Sequence, residues 1–369
     1  MVCTMHKDYN SAHSHLQIIC DAVVAWGLSV KLVFNGAKSF FLIFSPKRNL
    51  PPLNLLVDNI TVPRSSSCLY LGLTIDDKLS WNLHISNKCN AVKKMLFLIL
   101  KCCRLSWGLS RSTISLLYKS SVIPIILYNC SVWASATGKK RVAASLKAAQ
   151  RPFALVIGRL FKSTSTDAAL VLANIVPLHL KVVEIVTKRL ISSQAALLPP
   201  SSRRIAGDIP ERILASCKPV GISLRLHRER LLKSEIQNLW NQIWSTADTG
   251  AQTRSFFPSV EAAAILNSPL TPFFLCSFLS GQCVLNKFLF KIKRKLSPLC
   301  SCSSGDEEDI NHVIFVCSNY VTLREKLSAC ASNLNLLWPV PFHAFAQHKP
   351  LWLALLHFLV ATKRLKLQL

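Results

Sequence analysis

The chain has 369 residues with 44 Lys+Arg against 18 Asp+Glu, a formal charge of +26, yet half of its residues are hydrophobic and only 17% are charged. At roughly 150 residues per domain this length predicts two or three domains, and the apolar content excludes general disorder. So large a cationic excess calls for an anionic neighbour, nucleic acid or a membrane surface, while the shortage of acids leaves little for carboxylate chemistry.

Residues 1–11 hold no apolar run, so no secretory signal and no export are expected. The uncharged stretch 120–138 is broken by Pro124 and Asn129, and the apolar stretch 351–362 falls short of the roughly 20 residues of a spanning helix. No membrane partner is expected. The 14 cysteines are scattered, which predicts reduced thiols, most of them buried fillers such as Cys20, Cys102, Cys103 and Cys276.

In chain order, residues 11–26 place Leu16, Ile19, Cys20, Val23 and Val24 on one stripe and predict an amphipathic helix stopping at Gly27. Strands are expected over 28–34 and 39–44, joined by a turn at 35–38 in which Asn35-Gly36 supplies positive φ. A hairpin about Asp58-Asn59 follows, then a strand over 68–75. From Ile85 the period becomes helical over 85–105, 112–127 and 141–198, with interruptions expected at Pro152 and Pro177. Residues 199–204, PPSSRR, predict a linker. Beyond it lie a basic amphipathic helix over 224–244 with Leu231, Glu235, Leu239 and Gln242 at turn spacing, a loop over 246–258, and helical patterns at 273–279 and 284–295. The expected segments are 1–84, 85–198, a linker over 199–223, and 224–369.

Three motifs in order, WGLSVKLVFNGAKSFFLIF (26–44), YLGLTIDDKLSWNLH (70–84) and a run from Tyr128 through Trp133 to Gln150-Arg151, resemble the reverse transcriptase of arthropod non-LTR retrotransposons of the jockey type. The likeness covers about 11–190 and departs at Lys31, where the family usually has glycine. It implies an α+β, mostly helical fold: part of a polymerase palm, with a helix and a small antiparallel sheet, then a helical thumb and a helical C-terminal domain. By the same resemblance Tyr70, Leu71 and Gly72 form a primer-grip hairpin, and Lys38 matches a palm lysine that protonates pyrophosphate, although a solvated turn lysine is the preferred reading. Lys88, Lys93, Lys94, Lys101 and Arg104 would track a template-primer duplex.

The family's polymerisation uses paired aspartates and two Mg²⁺ ions, because phosphoryl transfer needs charge stabilised on both the attacking and the leaving oxygen. That turn precedes the family's Trp helix and has no counterpart here. Asp76-Asp77 imitates it, but one aspartate belongs to the LSW pattern and no acidic partner stands upstream. The expected chain therefore binds RNA or DNA without polymerising, its Mg²⁺ site absent and the N-terminal polymerase part of the family missing. An RNase H domain, which many relatives carry before the C-terminal region, is not expected in 199–258. A non-enzymatic interaction protein is the alternative.

Cys300, Cys302, His312 and Cys317 stand as C-x-C-x9-H-x4-C, a donor set suited to a structural Zn²⁺. The resemblance extends here through the acids 306–309 and Arg324, and Gln282 replaces a family histidine. Just upstream, Lys287, Lys291, Lys293, Arg294 and Lys295 interleave with Phe288 and Phe290, a pattern in which charges pair phosphates and rings stack bases.

Overall fold

The computed structural model describes residues 1–47, 51–102, 108–192, 198–216, 224–267 and 274–364. Cys103 and Arg104 lie outside them. The chain forms two compact units, Met1–Asn87 and Lys88–Leu369, and is mostly helical with two small antiparallel sheets.

In the first unit α1 (Tyr9–Ser29) begins at Asp8, whose carboxylate accepts from the Ser11 N–H at 2.8 Å and so satisfies an orphan donor of the first turn. The helix does not stop at Gly27 but runs two residues further. Gly27 is buried because the chain folds back onto it: the Leu32 N–H donates to its carbonyl at 2.7 Å, and a Cβ there would stand 2.5 Å from the Phe34 ring. The strand expected over 28–34 is replaced by this helix end and a reversal at Lys31, which takes a left-handed φ of +62°. A glycine, as in the family resembled, would hold that conformation without a Cβ penalty.

Residues 39–44 are likewise not a strand; only Phe41 pairs, in one parallel bridge to Arg64. The 35–38 turn is a 3₁₀ turn closed by the Asn35 side chain, which accepts from the Lys38 N–H at 3.1 Å. Asn35 sits at φ −90°, so positive φ is not what the turn uses. Gly36 instead permits close approach, since a Cβ would lie 2.7 Å from the Val57 carbonyl.

Strands β1 (Leu55–Val57) and β2 (Ile60–Val62) form a hairpin whose turn residues Asp58 and Asn59 both take positive φ, the twist-matched geometry for a two-residue loop. The segment 68–75 is not one strand but a second hairpin, β3 (Ser67–Tyr70) with β4 (Leu73–Asp76), turning through Leu71 and Gly72 at φ +45° and +77°. Phe41, Leu55 and Val62 pack with Leu16 and Cys20 of α1, and the Gln17 amide both donates to and accepts from the Leu56 backbone.

Helix α2 (Asn82–Lys101) leads into the second unit, followed by α3 (Arg111–Leu117), a π-turn over Tyr118–Val122, α4 (Ile123–Ile126) and α5 (Cys130–Trp133). Helix α6 (Lys140–Gly158) passes straight through Pro152. One missing N–H costs less than exposing the apolar face on both sides of it, where Leu146, Phe153, Ala154 and Ile157 are buried. Pro177 does separate α7 (Thr166–Ala173) from α8 (Leu178–Leu190), standing at the α8 N-cap.

Gln150 is fully buried and satisfied. Its amide donates to the Tyr118 hydroxyl at 2.9 Å and the Val176 carbonyl at 2.7 Å, and accepts from the Leu178 N–H at 3.0 Å. Arg151 donates to the Lys162 and Thr164 carbonyls, and Gln282 joins the same loop through Ser163 and Thr164. The QR pair of the resemblance is thus a brace.

The stretch read as a linker contains α9 (Pro200–Arg203) with Ser202 buried, followed by α10 (Ile209–Ser216). Helix α11 (Leu224–Ser245) buries Leu232, Ile236, Trp240 and Trp244, a face rotated from the expected one. The expected loop 246–258 contains α12 (Ala251–Phe256), because Phe256 and Phe257 are both fully buried. Then come α13 (Leu275–Leu279), α14 (Asn286–Lys291), α15 (Val321–Ser332), α16 (Phe342–Gln347) and α17 (Lys349–Ala361). Among the described residues no single helix is long and apolar enough to cross a membrane; the bent pair α7 and α8 passes that test by length and composition only.

Candidate metal centre

The chain after α14 doubles back on itself. Leu299 bridges Glu307, the Cys300 N–H donates to the Asp306 carbonyl at 2.8 Å, and Gly305 takes φ +77° at the bend. This tight loop presents Cys300 and Cys302 together. From the other side a π-turn (His312–Val316) ends with the Cys317 N–H donating to the His312 carbonyl at 2.7 Å, which brings imidazole and thiol to the same end. The π-turn, wider than an α-helical one, is what juxtaposes residues five apart. Arg324 of α15 fixes it by donating to the Ile314 and Cys317 carbonyls at 2.8 and 2.5 Å.

One ligand atom from each of Cys300, Cys302, His312 and Cys317 lies within 4.8 Å of all the others, and all four residues are buried. The Cys300 and Cys317 Sγ atoms are 3.6 Å apart, and Cys302 Sγ is 3.3 Å from His312 Nε2. A tetrahedral ion with Zn–S near 2.3 Å and Zn–N near 2.0 Å would separate such pairs by about 3.8 and about 3.5 Å. The buried cluster therefore fits a metal ion. His312 Nδ1, facing away from the sulfurs, is buried without a hydrogen-bond partner, and the Asp306 carboxylate stands 3.6 Å from it. Ligating histidines usually donate that second N–H to a carboxylate, and Asp306 is the carboxylate nearest to that position.

The thiols are electrostatically unequal. Hydrogen bonds from Ser304 draw Cys302 down to about 5, whereas burial pushes Cys317 up to about 12 and Cys300 upward.

Behind the cluster, Glu308 is buried. Its carboxylate takes the Arg364 guanidinium at 2.5 and 2.7 Å and the Asn286 N–H at 2.8 Å, while Arg364 also donates to the Asn286 side chain at 2.7 Å. The network ties the start of α14, the metal loop and the chain just after α17 together. Sequence reasoning missed both it and the Asp306 contact, having read the four acids only as a patch.

The structure redistributes the basic residues. Lys287 is not free for phosphate: it is clamped at 3.0 Å by both Glu307 and Asp309, which raise its pKa. Phe288 is buried against Phe161, with ring centroids 5.3 Å apart, whereas Phe290 is 47% exposed. Helix α14 ends at Lys291 rather than continuing to 295. Lys293 turns the chain at φ +60°, and Lys291, Lys293, Arg294 and Lys295 are exposed.

On α2, Lys93 and Lys94 are exposed and Lys88 is half-buried with its ammonium 4.8 Å from the centroid of the Tyr128 ring. Lys38 is exposed on its turn, and Tyr70, Leu71 and Gly72 occupy the tip of the second hairpin.

Asp76 is committed to local structure. Its carboxylate accepts from the Lys78, Ser80 and Trp81 N–H groups at 3.1, 2.9 and 3.0 Å, and from the Ser80 hydroxyl at 3.1 Å. His84 Nδ1 accepts from the Thr74 N–H at 3.1 Å, joining the start of α2 to β4. The LSW…H motif is a hairpin-to-helix knot. Among the described residues the Cys/His set is the one group of three or more such donors that converges.

No family model and no solved structure matches the chain. Among curated proteins it is similar to the Retrovirus-related Pol polyprotein from type-1 retrotransposable element R1 of Bradysia coprophila, 24% identical over 83% of this chain and 29% of the relative. A second R1 Pol polyprotein, from Nasonia vitripennis, is 23% identical over 73% of this chain and 69% of its own length. The RNA-directed DNA polymerase from mobile element jockey of Drosophila melanogaster is 28% identical over 36% of this chain and 14% of its own length. The chain thus spans under a third of the first of these relatives, and its homologues are R1- and jockey-type retrotransposon polyproteins.

Proposed function

We propose that this chain, whose homologues are retrotransposon Pol polyproteins, acts as a nucleic-acid-binding portion of such a polyprotein, with a zinc-stabilised C-terminal module and no carboxylates for nucleotide transfer of its own. In this reading the first unit is part of a polymerase palm, the β3–β4 hairpin with Tyr70, Leu71 and Gly72 is its primer grip, and residues 85–198 form the thumb. Residues 224–369 form the C-terminal domain, joined through 199–223.

The observation that carries the reading is α2, a 20-residue helix with four lysines and no acid. It offers Lys93 and Lys94 to a polyanion in a chain of net charge +26. Lys38 is assigned to the same surface chemistry, as a solvated cation rather than a general acid.

Three thiolates and an imidazole select Zn²⁺ over oxygen-loving Mg²⁺, and four protein donors leave no open position, so the role is structural. Mg²⁺ for polymerisation would need clustered carboxylates, and the best sequence candidate, Asp76, spends its oxygens on backbone N–H groups.

Fluorescence anisotropy of labelled RNA and DNA across a salt series tests the binding. Affinity should fall log-linearly with salt, and absence of binding at low salt would end this reading. Primer extension on an RNA template should remain at the buffer control, and extension above it would overturn the loss of polymerisation.

A second reading, a non-enzymatic protein-interaction role in a domesticated element, is favoured by apolar side chains exposed on the first unit, including Trp26, Val33, Leu69 and Leu71. It predicts a salt-insensitive protein partner and no nucleic-acid affinity.

A further inference from the structure

We infer that the segment Phe290 to Leu296 is a single-strand site, in which one unstacked base lies on the Phe290 ring and phosphates run along Lys291, Lys293, Arg294 and Lys295. The inference rests on the nucleic-acid reading above and names the form of nucleic acid that this surface takes.

Two observations carry it. The first is the opposite fates of neighbouring rings. Phe288 is spent on the core against Phe161, while Phe290 is 47% exposed and Leu296 is fully exposed. An exposed aromatic ring among cations is a poor choice for a solvated face, and it is what a base with two open π-faces can use. A duplex keeps its bases stacked on one another and presents phosphates, so it gains nothing from such a ring.

The second is where the acids go. Asp306 faces His312, Glu307 and Asp309 clamp Lys287, and Glu308 holds Arg364. Three of the four acids of the adjacent loop are held in ion pairs there, and the fourth, Asp306, stands nearest to His312. Among the described residues none forms an ion pair with the four cations of 291–295, all of which follow within five residues of the ring. Lys287 belongs to the frame and not to the site.

The test uses the full chain, with anisotropy titrations at low salt against a 20-mer of deoxythymidine, a 20-mer of uridine and a hairpin duplex. Phe290→Ala should weaken single-strand binding roughly 5- to 150-fold, the range of one lost base stack, and leave duplex affinity within about twofold. Phe290→Trp should keep single-strand affinity, and an abasic 20-mer should bind wild type and Phe290→Ala alike. Lys287→Gln should be near neutral, and Lys293→Gln with Arg294→Gln should weaken every nucleic acid and lower the salt slope. Equal DNA and RNA affinities would assign recognition to bases and phosphates, and a preference for uridine would add the 2′-hydroxyl. Wild-type binding with Phe290→Ala unchanged, or weakened equally for the duplex, would overturn the inference alone. A wild type that binds neither form would overturn the underlying reading and this site with it.

Discussion

The hairpin-to-helix turn at Asp76 and the loop at 300–317 both look like metal motifs in sequence, and the structure separates them by where their donor atoms point. At Asp76 the N–H groups of Lys78, Ser80 and Trp81, in the turn just ahead of α2, point at the carboxylate, so the acid is spent on backbone. At 300–317 the doubled-back loop and the π-turn, fastened by Arg324 and Asp309, hold the backbone so that donor atoms of four side chains converge on one another. A metal site needs several donor atoms aimed at one point, and of the two regions the second has that property.

Changes in the two regions should part company accordingly. The largest effect is expected from Cys317→Ala, which removes a fully buried donor: bound zinc should fall to zero by elemental analysis, and the thermal transition of the second unit should be lost or markedly lowered. Glu308→Ala should cost roughly 1–3 kcal/mol in denaturant unfolding, because it leaves the Asn286 N–H buried and unpaired and deprives the half-buried Arg364 of its partner. Gln150→Ala should cost about 1–3 kcal/mol by the same measurement without altering zinc content, since the brace lies far from the cluster in sequence and shares no partner with it. Asp306→Asn should keep one zinc per chain but lower its affinity about 10-fold or more in chelator competition. The smallest effect has the opposite sign: Lys31→Gly should stabilise the first unit by about 1 kcal/mol or less, by relieving a left-handed lysine.

Sequence periodicity reads well where a helix has one apolar stripe. The expected helices over 11–26, 85–105 and 224–244 correspond to α1, α2 and α11, each within a few residues at its ends. The Asp58-Asn59 hairpin was also legible, because both residues tolerate left-handed φ. The strands expected over 28–34 and 39–44 fail for a common reason: short apolar runs are equally good at folding back on a helix, and Gly27 and Gly36 provide the close approach that decides it. Pro152 misleads because packing on both sides outweighs one lost hydrogen bond.

For the site, the four members of the Cys/His cluster were legible from residue type and spacing alone. The frame around them was not. Asp306, Glu308 and Arg364 act across as many as 56 residues of chain, and four consecutive acids carry no signal of which one is buried. The basic run was read as uniform, whereas its first lysine and first phenylalanine belong to the frame and only its second half is free.

The most direct test of the comparison is the metal content of the purified full chain and two variants. The account predicts one zinc per wild-type chain, one zinc in Asp76→Asn with Asp77→Asn, and none in Cys300→Ala with Cys317→Ala. A wild-type chain without zinc, or zinc that survives loss of both cysteines, would contradict it.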